Sequence, residues 1–80
     1  MVTDPTANMG RRLAMAREAR GLSTRQVAAR LKVSHEYITR LENRVRPVNA
    51  VYLMLFSHLY GRSPEWIVWG DDAPPLIVVG

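Results

Sequence analysis

Four polar side chains, His35, Glu36, Thr39 and Arg40, fall within a single stretch of six residues. Helical spacing places them on one side, and Ile38 and Leu41, three apart, mark the other. Together they offer a forked guanidinium, a carboxylate acceptor, a hydroxyl, and an imidazole that donates or accepts according to its tautomer. That set suits hydrogen-bonded recognition. It suits catalysis poorly. The other histidine, His58, lies in a separate predicted helix, the chain has no cysteine, and it has no glycine-rich phosphate loop. Glu18, Glu36, Glu42 and Glu65 are scattered without metal-ligand spacing, so no metal, no cofactor and no enzymatic activity are expected.

The helix carrying these four residues is expected over 34–43, capped by Ser34. The helix before it, 24–31, starts on Ser23, and Gln26 three residues later completes a reciprocal capping box. Val27, Ala28 and Leu31 form its inward face, and Val33 is the lone apolar residue of the corner. A first helix is expected over 8–20, with Asn8 as cap and a packed stripe of Leu13, Ala16 and Ala19 joined by Met9. Gly21 is its left-handed terminator. A fourth helix starts from a cap at Asn49 and runs to Tyr60, ending on Gly61. Its stripe of Val51, Leu55 and Leu59 is widened by Leu53, Met54 and Phe56, which implies burial on more than one side, in a core or against a partner. Ser63-Pro64-Glu65 opens a short fifth helix, 64–69, with proline at its first position and an acid in its first turn. Residues 44–48 form a basic loop, 1–7 a flexible N-terminal arm, and 71–80 a tail. The apolar run Leu76-Ile77-Val78-Val79 lies on the domain, pairs with a second copy as an edge strand, or stays disordered.

In order along the chain stand Arg17, Gly21-Leu22-Ser23, Gln26, Val27-Ala28, Leu31, Val33-Ser34, Ile38, Leu41-Glu42-Asn43 and Trp66. This set resembles the helix-turn-helix of the phage repressor and Cro family, also called XRE-like, over residues 13–70. The resemblance implies an all-α fold, a five-helix lambda-repressor-like DNA-binding domain at 8–70 with a central helix-turn-helix and a short extended C-terminal tail. It implies double-stranded DNA as partner, with helix 34–43 in the major groove. His35, Glu36, Thr39 and Arg40 then become the base-reading residues, Arg40 suited to guanine and Glu36 to cytosine N4. Thr24, Arg25, Lys32, Ser34, Tyr37, Arg44 and Arg46 are the expected contacts to the DNA backbone. Two of these have a structural alternative: Tyr37 packing against helix two, and Glu36 pairing with Arg40 at i, i+4. In the family, the arginine at the position of Arg17 pairs with the glutamate at Glu42, and the residue at Trp66 packs inside. Arg11, Arg12 and Arg20 are expected on a solvated face, with Arg11 or Arg12 on a phosphate as the sharper reading. The chain departs from the pattern at Lys32 and Arg44, where glycine is usual. A left-handed backbone at Lys32 costs roughly 1 kcal/mol relative to glycine.

Eighty residues with 48% apolar content make one small domain, held without disulfides. No apolar run approaches the roughly 18 residues of a membrane span, and the N-terminus lacks a signal-peptide pattern, so a cytoplasmic, nucleoid-associated protein is expected. A net charge of +4 and a pI near 10.4 fit a polyanionic partner. The expected function is a sequence-specific DNA-binding transcriptional regulator, repressor or Cro-like, that binds a palindromic operator as a homodimer. Leu55, Leu59, Trp69, Leu76, Ile77, Val78 and Val79 are the expected dimerisation residues. The alternatives are an antitoxin of a toxin–antitoxin pair, and a protein-interaction module that kept the fold without DNA binding.

Overall fold

The computed structural model describes residues 8–43 and 48–72. Five helices follow in order: α1 Met9–Ala19, α2 Thr24–Leu31, α3 His35–Asn43, α4 Ala50–Tyr60 and α5 Pro64–Trp69, closed by a 3-10 turn, Gly70–Asp72. No strand occurs among the described residues. The fold is all-helical, a five-helix helix-turn-helix arrangement. The expected extended tail therefore begins with a 3-10 turn, and residues 73–80, like the arm 1–7, lie outside the described residues.

Local side-chain bonds start most of these helices. Ser23 Oγ accepts from the Gln26 N–H at 3.1 Å while Gln26 Oε1 accepts from the Ser23 N–H at 2.7 Å, closing the capping box. Asn49 Oδ1 accepts from the Tyr52 N–H at 3.0 Å, and Ser63 Oγ from the Trp66 N–H at 3.1 Å. Each such cap contributes about 1 kcal/mol. Ser34 Oγ accepts from the Tyr37 N–H at 3.2 Å, so Ser34 caps α3 and the helix opens on His35. Asn8 makes no side-chain cap bond, and α1 has no acid in its first turn. That expected cap is absent. Gly21, at φ +69°, turns the chain out of α1 as its missing Cβ allows.

Every helix contributes to the core. Met9, Leu13 and Ala16 come from α1, Val27 and Ala28 from α2, Ile38 and Leu41 from α3, Phe56 and Tyr60 from α4, and Ile67 from α5. Two expectations are corrected here and a third is refined. Ala19 is exposed, lying past the turn that faces the core. Trp66 packs against the core as expected but is only half-buried, with the Arg62 guanidinium 3.7 Å above its ring, and Ile67 takes the fully interior place. On α4 the inward row is Tyr52, Phe56 and Tyr60. Val51 is 69% exposed, Leu55 42%, and Leu59 only half-buried. Both rows have the same spacing, and the aromatic one brings more area to bury. Phe56 and Tyr60 stack at 5.6 Å between centroids, Tyr52 sits 6.2 Å from Phe56, and Tyr37 meets Tyr52 edge-on at 5.3 Å. Tyr37 thus meets α4 edge-on and packs against the core.

The α1–α3 crossing is closer than side chains allow. A Cβ on Gly10 would lie 2.7 Å from the Leu41 carbonyl oxygen, and nearer still to that of Glu42. Backbone touches backbone there.

The Tyr60 hydroxyl is buried with no hydrogen-bond partner among the described residues. Burial, aided by the Glu42 charge and opposed by Arg17, pushes its pKa well above the ordinary tyrosine value. Tyr60→Phe is therefore expected to leave stability unchanged or raise it by about 1 kcal/mol. Because the folded-state pKa is raised, the wild-type contribution is intact below about pH 10 and falls as pH rises from there toward the folded value. Urea denaturation at neutral and at strongly alkaline pH checks both points: the alkaline loss should be smaller in the variant.

Candidate nucleic-acid interface

Ile38 and Leu41 anchor α3 from within, and its C-terminal end is fixed by an ion pair. Arg17 Nε donates to Glu42 Oε2 at 2.7 Å and Nη2 to Oε1 at 3.1 Å, while Nη1 donates to the Leu22 carbonyl at 2.8 Å. One guanidinium so joins α1, the turn after it and α3. A carboxylate at a helix C-terminus is opposed by the helix dipole, and the arginine offsets this. The hydrogen bond to Glu42 is the main reason that the pKa of Arg17 is raised.

Held this way, α3 turns Glu36, Thr39 and Arg40 to the outside, with His35 half-buried at its first turn. His35 Nδ1 lies 3.5 Å from Glu36 Oε2. No Glu36–Arg40 ion pair forms among the described residues, so the i, i+4 alternative is corrected in favour of the neighbouring imidazole. The Thr39 hydroxyl donates to the His35 carbonyl at 3.1 Å. Asn43 is exposed on the same side, three residues past Arg40 and seven past Glu36. The sequence marks it only as part of the family motif, not as a surface residue. Its spacing was the available signal.

Around this face, Thr24 (half-buried) and Arg25 (exposed) open α2, and Lys32 and Ser34, both exposed, stand in the corner before α3. Lys32 has φ 58° and ψ 44°, a left-handed C-cap of α2. Arg44 and Arg46 lie outside the described residues. Arg12 of α1 and Arg20, the C-cap of that helix, are used elsewhere. Arg12 Nε donates to the Ile67 carbonyl at 2.7 Å and Nη2 to that of Val68, and Arg20 Nε donates to the Tyr60 carbonyl at 3.1 Å. They cap the C-terminal ends of α5 and α4, which corrects both the solvated-face and the phosphate reading for half-buried Arg12 and gives Arg20, which is exposed as expected, a structural bond besides. Desolvation lowers the pKa of Arg12, with the Asp71 charge acting the other way. Arg11 is exposed.

Residues 8–66, most of the chain and all of α1 to α4, match the family model described as a helix-turn-helix domain. The chain belongs to the helix-turn-helix domain family. Neither the curated proteins nor the solved structures give a significant match. Membership suggests DNA as the partner and a regulatory role, in a family that is typically non-enzymatic. Among the described residues, no helix is long and apolar enough to cross a membrane, and no group of three or more His, Asp or Glu side chains could hold a metal ion.

Among the described residues, three of the five exposed large apolar side chains lie on α4, where Val51, Met54 and Leu55 are 69%, 59% and 42% exposed; the others are Met15 of α1 at 53% and Trp69 of α5 at 37%. Leu59 is half-buried, and Leu76, Ile77, Val78 and Val79 lie outside the described residues. In the corner, Lys32→Gly is expected to raise stability by about 1 kcal/mol by relieving the left-handed backbone. The same change should weaken DNA binding, because it removes a cation beside α3. Denaturation and a binding titration on one preparation separate the two effects.

Proposed function

We propose that this helix-turn-helix protein is a sequence-specific regulator of transcription, of the repressor or Cro type, acting on double-stranded DNA in the cytoplasm. In this reading, α3 enters the major groove and His35, Glu36, Thr39 and Arg40 read base edges. Thr24, Arg25, Lys32, Ser34, Tyr37, Arg44 and Arg46 position it on phosphates. The observation that carries the reading is the outward face of α3: Glu36, Thr39 and Arg40 are exposed on a helix pinned from behind by Ile38, Leu41 and the Arg17–Glu42 pair. Such a face has a fixed backbone and outward polar side chains, as base discrimination requires.

A homodimer on a palindromic operator completes the proposal, because a single small domain covers only a half-site. Leu55, Leu59, Trp69 and the run 76–79 remain the proposed contacts, joined by exposed Val51 and Met54. Selection of bound sequences from a random DNA pool tests both parts, a palindrome being the expected result. Arg40→Ala should then cost roughly 1–3 kcal/mol on the selected site and relax one base position. An equal loss on every sequence would move Arg40 to a phosphate.

A second reading, a protein-interaction module or an antitoxin that also covers a toxin, is favoured by the apolar outer face of α4. Failure to recover any DNA from the pool would select the first of these.

A further inference from the structure

Thr39 is exposed, yet its hydroxyl is turned back onto its own helix, donating to the His35 carbonyl at 3.1 Å. A threonine hydroxyl has one proton to donate, so none is left to face a ligand. What Thr39 offers beyond the helix is the methyl group Cγ2 and oxygen lone pairs. Its outward neighbours Glu36, Arg40 and Asn43 are polar, so this methyl is an apolar point on a polar face.

We infer that Thr39 reads the 5-methyl group of a pyrimidine in the major groove, which in unmodified DNA means thymine. The inference rests on the DNA-binding function proposed above. Purine N7, guanine O6 and thymine O4 all accept hydrogen bonds, and a threonine without a free proton satisfies none of them; its lone pairs could accept only from adenine N6 or cytosine N4, a contact that Thr39→Val would abolish. Methyl-to-methyl contact needs no donor. By the same chemistry, 5-methylcytosine keeps the contact, whereas uracil and cytosine lose it. Thr39 and Arg40 are consecutive, so the methylated pyrimidine stands close to the base that Arg40 grips.

The test takes the site recovered from the random pool and replaces its thymines by uracil one at a time. For the wild-type protein, one position per half-site should weaken binding about 3- to 5-fold, the factor expected for one buried methyl group. Thr39→Ser keeps the hydroxyl and removes Cγ2, so that position should become insensitive to uracil. Thr39→Val keeps a methyl group and removes the hydroxyl, so the thymine preference should survive. Uracil sensitivity unchanged in Thr39→Ser, thymine preference lost in Thr39→Val, or no uracil-sensitive position at all overturns the inference and leaves DNA binding standing. If the wild-type protein retains no DNA from the pool, the DNA-binding function fails and the inference fails with it.

Discussion

Glu42→Ala is expected to lower the stability of the folded chain by about 3 kcal/mol, the effect of stranding one half of a buried, hydrogen-bonded ion pair. The two side chains are only 13% and 9% exposed, so water cannot replace the lost carboxylate around Arg17. A domain of this size holds roughly 4–12 kcal/mol in total, so the change removes a large share. Arg17→Lys should not be benign either. An ammonium cannot reach both carboxylate oxygens and the Leu22 carbonyl from one plane, as the guanidinium does. Urea denaturation of the three proteins at neutral pH checks this. A loss below about 1 kcal/mol for Glu42→Ala would place the pair in the solvent-screened class instead.

Gly10→Ala is the second large effect, and it comes from a single added carbon. The new Cβ would meet the backbone carbonyls of Leu41 and Glu42, which cannot swing aside as a side-chain tip can. The helices must separate, and overpacking of this kind costs roughly 1–3 kcal/mol. Helix propensity pulls the other way, since alanine in place of glycine within a helix gains about 1 kcal/mol. The clash should win, because Gly10 is buried at a crossing that also involves the Arg17–Glu42 pair. A lowered thermal midpoint, with DNA affinity falling further than the unfolded fraction explains, would show that the crossing also sets the pose of α3. A raised midpoint would show that the helices part easily.

These two sites differ in how far the sequence revealed them. The pairing of Arg17 with Glu42 was expected through family resemblance alone, as no spacing rule links residues 25 apart. Gly10 carries no such signal, because a glycine in a helix reads as a simple cost until the partner backbone is in place. The caps at Ser23, Ser34, Asn49 and Ser63 were legible because capping is settled within four residues. The inward face of α4 was not. That helix is apolar on all sides, so Val51-Leu55-Leu59 and Tyr52-Phe56-Tyr60 fit a 3.6-residue period equally well, and only the ring packing selects the second. On α3 the polar positions do break the symmetry, which is why its outward face could be assigned from residue types. Arg12 and Arg20 escaped because their partners lie 55 and 40 residues away.

Those arginines bear on how the molecule should meet a polyanion. Eleven lysines and arginines enter the formal charge, but Arg12, Arg17 and Arg20 are tied to carbonyls and a carboxylate within the fold. Binding to a duplex releases condensed counterions in proportion to the phosphates actually neutralised. On the function proposed above, ionic strength should therefore govern affinity through the phosphate-facing cations such as Arg25 and Lys32, and less steeply than a count of the whole chain implies.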